Sequence, residues 1–350
     1  MEMNKPKNAI ILAIESSCDE SAASILVTDP KTGRLRILSN IISSQIEIHK
    51  KYGGVVPEIA AREHVLNMLP VINEALEKAQ IEPKDLTAIA IAKGPGLITS
   101  LMSGAETART LAFAWNKPII EVNHIEGHIY SNFIDHDEPK FPAVILTVSG
   151  GHTILLTMEK SGKIRIIGET RDDAAGEAYD KAAKMMDLGY PGGPIISGLA
   201  AQYGQKPSDL KLPRPMLNSP DFDFSFSGLK TALLYALKKD PNWKQRIPEY
   251  CAEYQQAILD ILIHKTIKAA LKFGAKTVMV SGGVSANNEL RAQMAETVKN
   301  KLENVDFLIP AREYTTDNAA MIAAAAFYKL KRGQLTDFKK LRVDASLELK

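Results

Sequence analysis

Apolar and polar positions fall in blocks along the chain. Residues 9 to 28, AIILAIESSCDESAASILVT, hold an apolar run, a short polar turn and a second apolar run, which predicts two β-strands joined by a polar tip. The same layout returns in PAVILTVSGGHTILLTME, residues 142 to 159. Aligning IILAIESS with VILTVSGG gives a repeat offset of about 130 residues, too long for a solenoid and right for a duplicated domain. Between the two hairpins, PEIAAREHVLNMLPVINEALEKA spaces its apolar residues as an amphipathic helix does. LTAIAIAKGPG then reads as a strand, SLMSGAETARTLAFAW as a helix and PIIEVN as a strand. The second half likewise supplies TVMVSGGVSANNELRAQMAETV, a strand, a glycine turn and a helix. Such alternation predicts α/β layers in which helices cover a mixed sheet.

Length and composition narrow this picture. A chain of 350 residues exceeds the usual size of a single core, so two domains are expected. Lys and Arg number 43 against 41 Asp and Glu, a formal net charge of +2 that neither demands nor excludes a nucleic-acid partner. The two cysteines, Cys18 and Cys251, stand far apart, which excludes a disulfide framework and a thiolate zinc site and suits a reducing cytosol. The apolar run Ala9 to Ile14 is too short for the core of a signal peptide. No segment approaches the roughly 20 apolar residues of a membrane helix. A cytoplasmic location is the expectation.

Candidate chemistry sits in VNHIEGHIYSNF, residues 122 to 133. His124 and His128 are four apart, so on a helix they share a face and both imidazoles can reach one metal ion. A zinc-protease helix also needs Glu directly after its first His, to act on metal-bound water, and Ile125 stands there. Glu126 lies about 200° around the helix from either His and points away from that face. The plainer alternative is a pair of hydrogen-bonded structural histidines. A third ligand would decide between them.

The polar ends of the strands carry a second clue. Ser149 to Gly151 and Ser281 to Gly283 both read SGG where an apolar strand ends, leaving backbone N–H groups free to approach a phosphate. One glycine turn is ordinary. Two, together with the hairpin tip SSCDES, resemble the way the actin, heat-shock chaperone and sugar-kinase architecture holds a nucleotide.

Taken in order, the motifs IESSCDESAASIL, GPGLITSL, NHIEGHIYSN, LTVSGGHTIL, GEAYDKAAKMMDLGYPGGP, FSFSGLKTAL, SGGVSANNELR and TTDNAAMIA closely resemble the TsaD family, also called Gcp or the Kae-type family. The resemblance implies two ribonuclease H-like lobes with a nucleotide cleft between them. Residues 1–138 would form the N-terminal actin-like lobe with the metal helix, and 139–350 the C-terminal lobe, with a helical insertion near 170–270. It implies transfer of the threonylcarbamoyl group from threonylcarbamoyl-AMP to N6 of adenosine 37, in tRNAs reading codons that begin with A.

The family pattern also names residues. Asp317, in TTDNAAM, would join His124 and His128 as the third metal ligand, although by itself it reads as an N-cap for the helix that follows. Two imidazoles and one carboxylate leave open positions, as a catalytic rather than a closed structural site does, and suit Fe(II) or Zn(II). Thr147, Val148, Ser149, Gly150 and Gly151 would face the acyl-adenylate. Asp180 and Gly193 match contacts to the nucleotide sugar, and Asn287 an adenosine contact. Ser197 stands where some relatives carry Asp. The cleft could also take ATP or ADP.

The implied reaction needs donors on the developing charge, expected at Ser149 to Gly151, and a base for the departing proton, assigned to Asp19 or Glu20 at the first hairpin tip. The target adenine must leave the anticodon-loop stack. QKPSDLKLPRPM and DFKKLRVD are candidate phosphate contacts, but neither is dense in charge or interleaved with aromatics, so both read as solvated clusters. Bacterial relatives act with a degenerate partner, TsaB, expected to dock on an exposed helix pair of the first domain, and with a small ATPase, TsaE. Two rival readings stand beside this one. Ile125 argues against a metalloprotease. A small-molecule kinase of the same fold is opposed by the imidazoles, since Mg-ATP sites favour carboxylates and water.

Overall fold

A computed structural model describes residues 9–29, 32–134, 136–159, 163–204 and 206–349. The chain starts with β1 (Ile10–Glu15), β2 (Glu20–Thr28) and β3 (Leu35–Ser44). The short α1 (Ile46–His49), then α2 (Pro57–Ala79), β4 (Ala88–Gly94), α3 (Ile98–Trp115), β5 (Ile119–Asn123) and α4 (His124–Tyr130) follow. The strands form one sheet in the order β3-β2-β1-β4-β5. β1 lies at its centre, antiparallel to β2 and parallel to β4. Central strands covered on both faces must be apolar at successive positions, and β1 is, except at its last residue, Glu15. β3, at the edge, instead mixes buried and exposed positions. Pro57 opens α2, and Gln80 in the left-handed conformation ends it, while His64, Met68, Val71, Ile72 and Ala75 form its buried stripe.

The second sheet repeats the first strand for strand. β6 (Ala143–Val148), β7 (Thr153–Met158) and β8 (Ile164–Glu169) are an antiparallel meander. Next come α5 (Ala175–Met185), α6 (Gly192–Tyr203), α7 (Ser227–Lys239) and the long α8 (Ile247–Phe273), which fill the interval where a helical insertion is expected. β9 (Thr277–Ser281), α9 (Asn288–Lys301) and β10 (Asp306–Leu308) complete the order β10-β9-β6-β7-β8, with β6 parallel to β9 and β9 parallel to β10. The pairing pattern matches that of the first sheet, so the repeat seen between IILAIESS and VILTVSGG is a repeat of topology. Its core packs α8, α6 and α5 against Val144, Leu146, Val278 and Val280.

The last helix corrects the expected boundary. The chain divides into a unit of Met1–Glu138 with Pro310–Lys350 and a unit of Pro139–Ile309, so residues 310–350 do not belong with the second sheet. The reason is α10 (Ala319–Lys331), buried at every position from Ala319 to Phe327. Its small side chains let it lie closely on β1, β2 and β5 and against α4. A helix apolar all round needs cover on every side, and the first unit supplies it.

Candidate metal centre

β5 ends at Asn123, whose side-chain oxygen accepts the N–H groups of Ile125 (2.8 Å) and Glu126 (3.4 Å) and so starts α4 at once. This turn carries His124 and His128 on one buried face, with ring centroids 4.7 Å apart. Gly127 faces α10 so closely that a Cβ there would meet Ile322 at 2.8 Å, which brings α4 against the segment bearing Asp317. Asp317 Oδ1 lies 3.5 Å from His124 Nε2 and 3.2 Å from His128 Nε2. One ligand atom from each of the three residues falls within 4.8 Å of the others. The expected capping role for Asp317 is not observed. Asn318 caps α10, accepting from the N–H of Met321 at 3.0 Å.

The donor chemistry suits a divalent ion. Neither ring nitrogen of the fully buried His128 has a hydrogen-bond partner among the described residues, although Asp317 is near. Buried imidazole nitrogens are normally satisfied, and a metal ligand is one way to satisfy them. Glu126 points elsewhere, as its spacing predicts, and pairs with Lys329 at 2.9 Å.

Glu15, at the end of β1, carries a role that the sequence reading missed. Fully buried, it places Oε2 3.1 Å from His124 Nδ1, and Ser17 Oγ lies at the same distance. Its other oxygen accepts the Ser17 N–H at 2.5 Å. A carboxylate on Nδ1 holds the proton there and turns Nε2 toward Asp317 and His128. Burial alone would depress the His124 imidazolium, but the charges of Asp317 and Glu15 raise it to about 9. A metal therefore competes with a proton at this ring. The only early signal was a carboxylate at the end of an otherwise apolar strand.

Asp19 ends the β1–β2 turn and Glu20 is the first residue of β2, in the same unit. Asp19 is buried, and Glu20 is partly buried. Burial, with the negative charges of Asp317 and Asp19, raises the Glu20 carboxyl well above its ordinary range. Burial and the neighbouring Asp19, Asp317 and Glu20 likewise push up the Cys18 thiol. These residues thus share one electrostatic environment with the histidine pair.

The other expected site residues all lie in the second unit. Thr147 and Val148 are buried in β6, and the Thr147 hydroxyl lies 3.0 Å from that of Ser281. Ser149 corrects an expectation, because its N–H donates to the His152 carbonyl (2.8 Å) and closes the hairpin. It is not free for an incoming oxyanion. Of the expected donors that leaves Gly150 and Gly151, where a Cβ on either would meet no atom within 4 Å. Behind them, Gly176 of α5 and Gly282 after β9 pack on the backbone of residues 148 to 150, where a Cβ would fall 2.4–3.1 Å from main-chain atoms.

Asp180 accepts the Gly192 N–H at 2.7 Å at the start of α6. Its carboxyl is raised by burial, a rise moderated by the N–H groups of Gly192 and Gly193. Gly193 opens onto free space, and Ser197 is half-buried one turn along α6. Asn287 caps α9 through the N–H groups of Glu289 (2.9 Å) and Leu290 (3.0 Å) and donates to Gln255 (2.7 Å). Most of its amide is thus already committed within the protein.

The family profile described as TsaD, tRNA N6-adenosine threonylcarbamoyltransferase, matches residues 36–324. A protein of that name from Kosmotoga olearia is 48% identical over 323 residues, covering 92% of this chain and 94% of its own. One from Syntrophomonas wolfei is 46% identical over 323 residues, covering 92% and 93%. Among solved structures, HypF of T. kodakarensis superposes with a TM-score of 0.61 at 14% identity, covering 95% of this chain and 48% of that one. That likeness concerns the fold alone.

Proposed function

The chain belongs to the TsaD family of tRNA N6-adenosine threonylcarbamoyltransferases, and on that premise we propose that it transfers the threonylcarbamoyl group of threonylcarbamoyl-AMP to N6 of adenosine 37 in tRNA. The observation that carries the reading to this site is the buried set His124, His128 and Asp317. Imidazole ligands disfavour a Mg-ATP kinase, and Ile125 disfavours a protease.

In the reaction N6 attacks the carbamoyl carbon, the carbon–oxygen bond to phosphate breaks, AMP leaves with the electron pair, and N6 gives up a proton. The amine is a weak nucleophile because its lone pair is delocalised into the ring. His124, His128 and Asp317 would hold a divalent ion, Fe(II) or Zn(II), which when bound would supply Lewis acidity. Glu15 and Ser17 keep His124 in the tautomer that ligation requires. The N–H groups of Gly150 and Gly151 donate to an oxygen of the adenylate, and the open space beside them admits it. Asp180, Gly193, Ser197 and Asn287 hold the nucleoside, Asp180 with the carboxylate capacity left beyond its Gly192 bond. Asp19 or Glu20 takes the proton, an assignment supported by their place at the tip of the β1–β2 hairpin.

The outer face of α2 and α3 exposes Val65, Leu66, Leu69 and Met102. Exposed apolar side chains gathered on a helix pair suit a protein partner, here a TsaB-like subunit, with a TsaE-like ATPase completing the cycle. The work belongs to the cytoplasm, where tRNA is. Among the described residues no helix is long and apolar enough to cross a membrane.

The test is transfer of carbon-labelled threonylcarbamoyl from its adenylate to unmodified tRNA, with and without a TsaB-type subunit. Label on adenosine 37 that disappears in a folded His124→Ala, His128→Ala variant supports both reaction and site. Full transfer by that variant would remove the metal from the mechanism. Phosphorylation of a small molecule without label would favour the kinase.

A further inference from the structure

Three consecutive carbonyls of the β1–β2 turn are each held from outside. The Ser17 carbonyl accepts the Leu97 N–H (2.7 Å), and that of Asp19 accepts the Gln45 N–H (3.0 Å). The carbonyl between them, Cys18, accepts His64 Nε2 of α2 at 3.0 Å. His64 is therefore the side chain among these three clamps, and the one that substitution can remove.

The imidazole does more than make one bond. Its Nδ1 lies 2.7 Å from the hydroxyl of Ser21, so a single ring spans Cys18 and Ser21 and brackets Asp19 and Glu20. Both His64 and Ser21 are fully buried. A carbonyl can only accept, so Nε2 carries the proton, and in the neutral ring Nδ1 accepts from the Ser21 hydroxyl. Burial lowers the imidazolium's stability and keeps the ring neutral. Every polar atom of the ring is then used in one tautomer and one orientation.

We propose that His64 is a positioning residue for the acidic turn, fixing the backbone on both sides of Asp19 and Glu20 for the transfer step. Its two ring nitrogens are taken up by Cys18 and Ser21, so it acts through the two residues it brackets. This rests on the reading that the turn serves the transfer reaction, and one arm of the test is independent of that reading.

His64→Ala, His64→Gln and the unaltered protein are compared in the labelled-transfer assay and by amide hydrogen exchange. Gln places an amide N–H where Nε2–H was, so it restores the bond to Cys18 while lacking the Nδ1 acceptor. His64→Ala is expected to lose about tenfold in kcat, with KM for tRNA and metal stoichiometry unchanged within about twofold. His64→Gln should recover most of that loss. Exchange at residues 18–21 should quicken in His64→Ala and not elsewhere in the sheet. A folded His64→Ala with unaltered kcat overturns the proposal. So does a Gln variant no better than Ala, with both losses following thermal stability. Unaltered exchange at the turn overturns it without reference to activity, and absence of transfer by the unaltered protein would sink only the functional reading. Should His64→Ala not fold, Ser21→Ala is read in the same exchange experiment, with faster exchange expected and no change overturning the proposal.

Discussion

In the first unit the carboxylates of Glu15, Asp19, Glu20 and Asp317 gather about the β1–β2 turn and two imidazoles. In the second, Asp172, Asp173 and Asp221 each meet donors or cations, among them Ser225, Lys181, Lys230 and Ser219. The consequences run in opposite directions: Glu20 is pushed above the ordinary carboxyl range, whereas Asp172, Asp173 and Asp221 are held below it. Like charges brought together cost stability unless a cation or proton joins them, while compensated charges build scaffold. Glycines divide in a related way. Gly96 and Gly104 let α3 and the turn before it press on Ser17 and Ser16, but Gly150 and Gly151 face empty space. The two sheets share a topology, yet one hairpin tip is clamped and charged and the other is left open.

Removing a compensating partner from the charged cluster is the strongest way to break this comparison. Glu15→Gln keeps the size of the side chain but loses the charge on His124 Nδ1. Such outer partners of metal-ligating histidines are worth about 10–100-fold in metal affinity. Zn(II) competition against a chromophoric chelator should show a loss in that range with His124, His128 and Asp317 intact. An unchanged affinity would mean that Glu15 is merely a buried acid and that the cluster is not built around a cation.

How much of this was legible beforehand depended on distance along the chain. Apolar runs exposed the strands, and the spacing of His124 and His128 placed both on one face, because these features are local. Asp317 came only through family resemblance, since nothing local relates a residue nearly two hundred positions away to α4. Its expected capping role went to Asn318, a neighbour with equal propensity. Glu15 was passed over because pattern reading treats a polar residue at a strand end as the start of a turn. The placement of 310–350 failed for a similar reason: chain order suggested the second sheet, while the vacant apolar face was on the first.

The glycines offer a second, smaller break. Gly104→Ala would bring a Cβ 2.2 Å from the Ser16 hydroxyl, and overpacking of this kind costs about 1–3 kcal/mol. Gly150→Ala and Gly151→Ala should cost far less by chemical denaturation, because the added carbon meets nothing, but should weaken adenylate binding by the bulk they introduce. Equal destabilisation at all three positions would dissolve the distinction between clamped and open tips.

The smallest expected effect tests the scaffold acids. Asp172 accepts the N–H groups of Phe226 (2.8 Å) and Ser227 (3.2 Å) at the start of α7, and the hydroxyls of Ser225 (2.6 Å) and Ser227 (2.8 Å). Burial works against its charge, but these four donors hold its carboxyl below the ordinary range. A carboxyl that is more acidic in the folded chain stabilises fully above its unfolded pKa, and that contribution is lost as pH falls through the folded value. Asp172→Asn, which keeps an acceptor and loses the charge, should therefore cost about 0.5–1 kcal/mol at pH 7. The difference from the unaltered protein should shrink as pH drops below about 4, where the unfolded Asp begins to protonate. In urea melts at pH 7 and at successively lower pH, a penalty independent of pH would show that the bonds act through geometry alone, and the contrast with Glu20 would then rest on the first unit only.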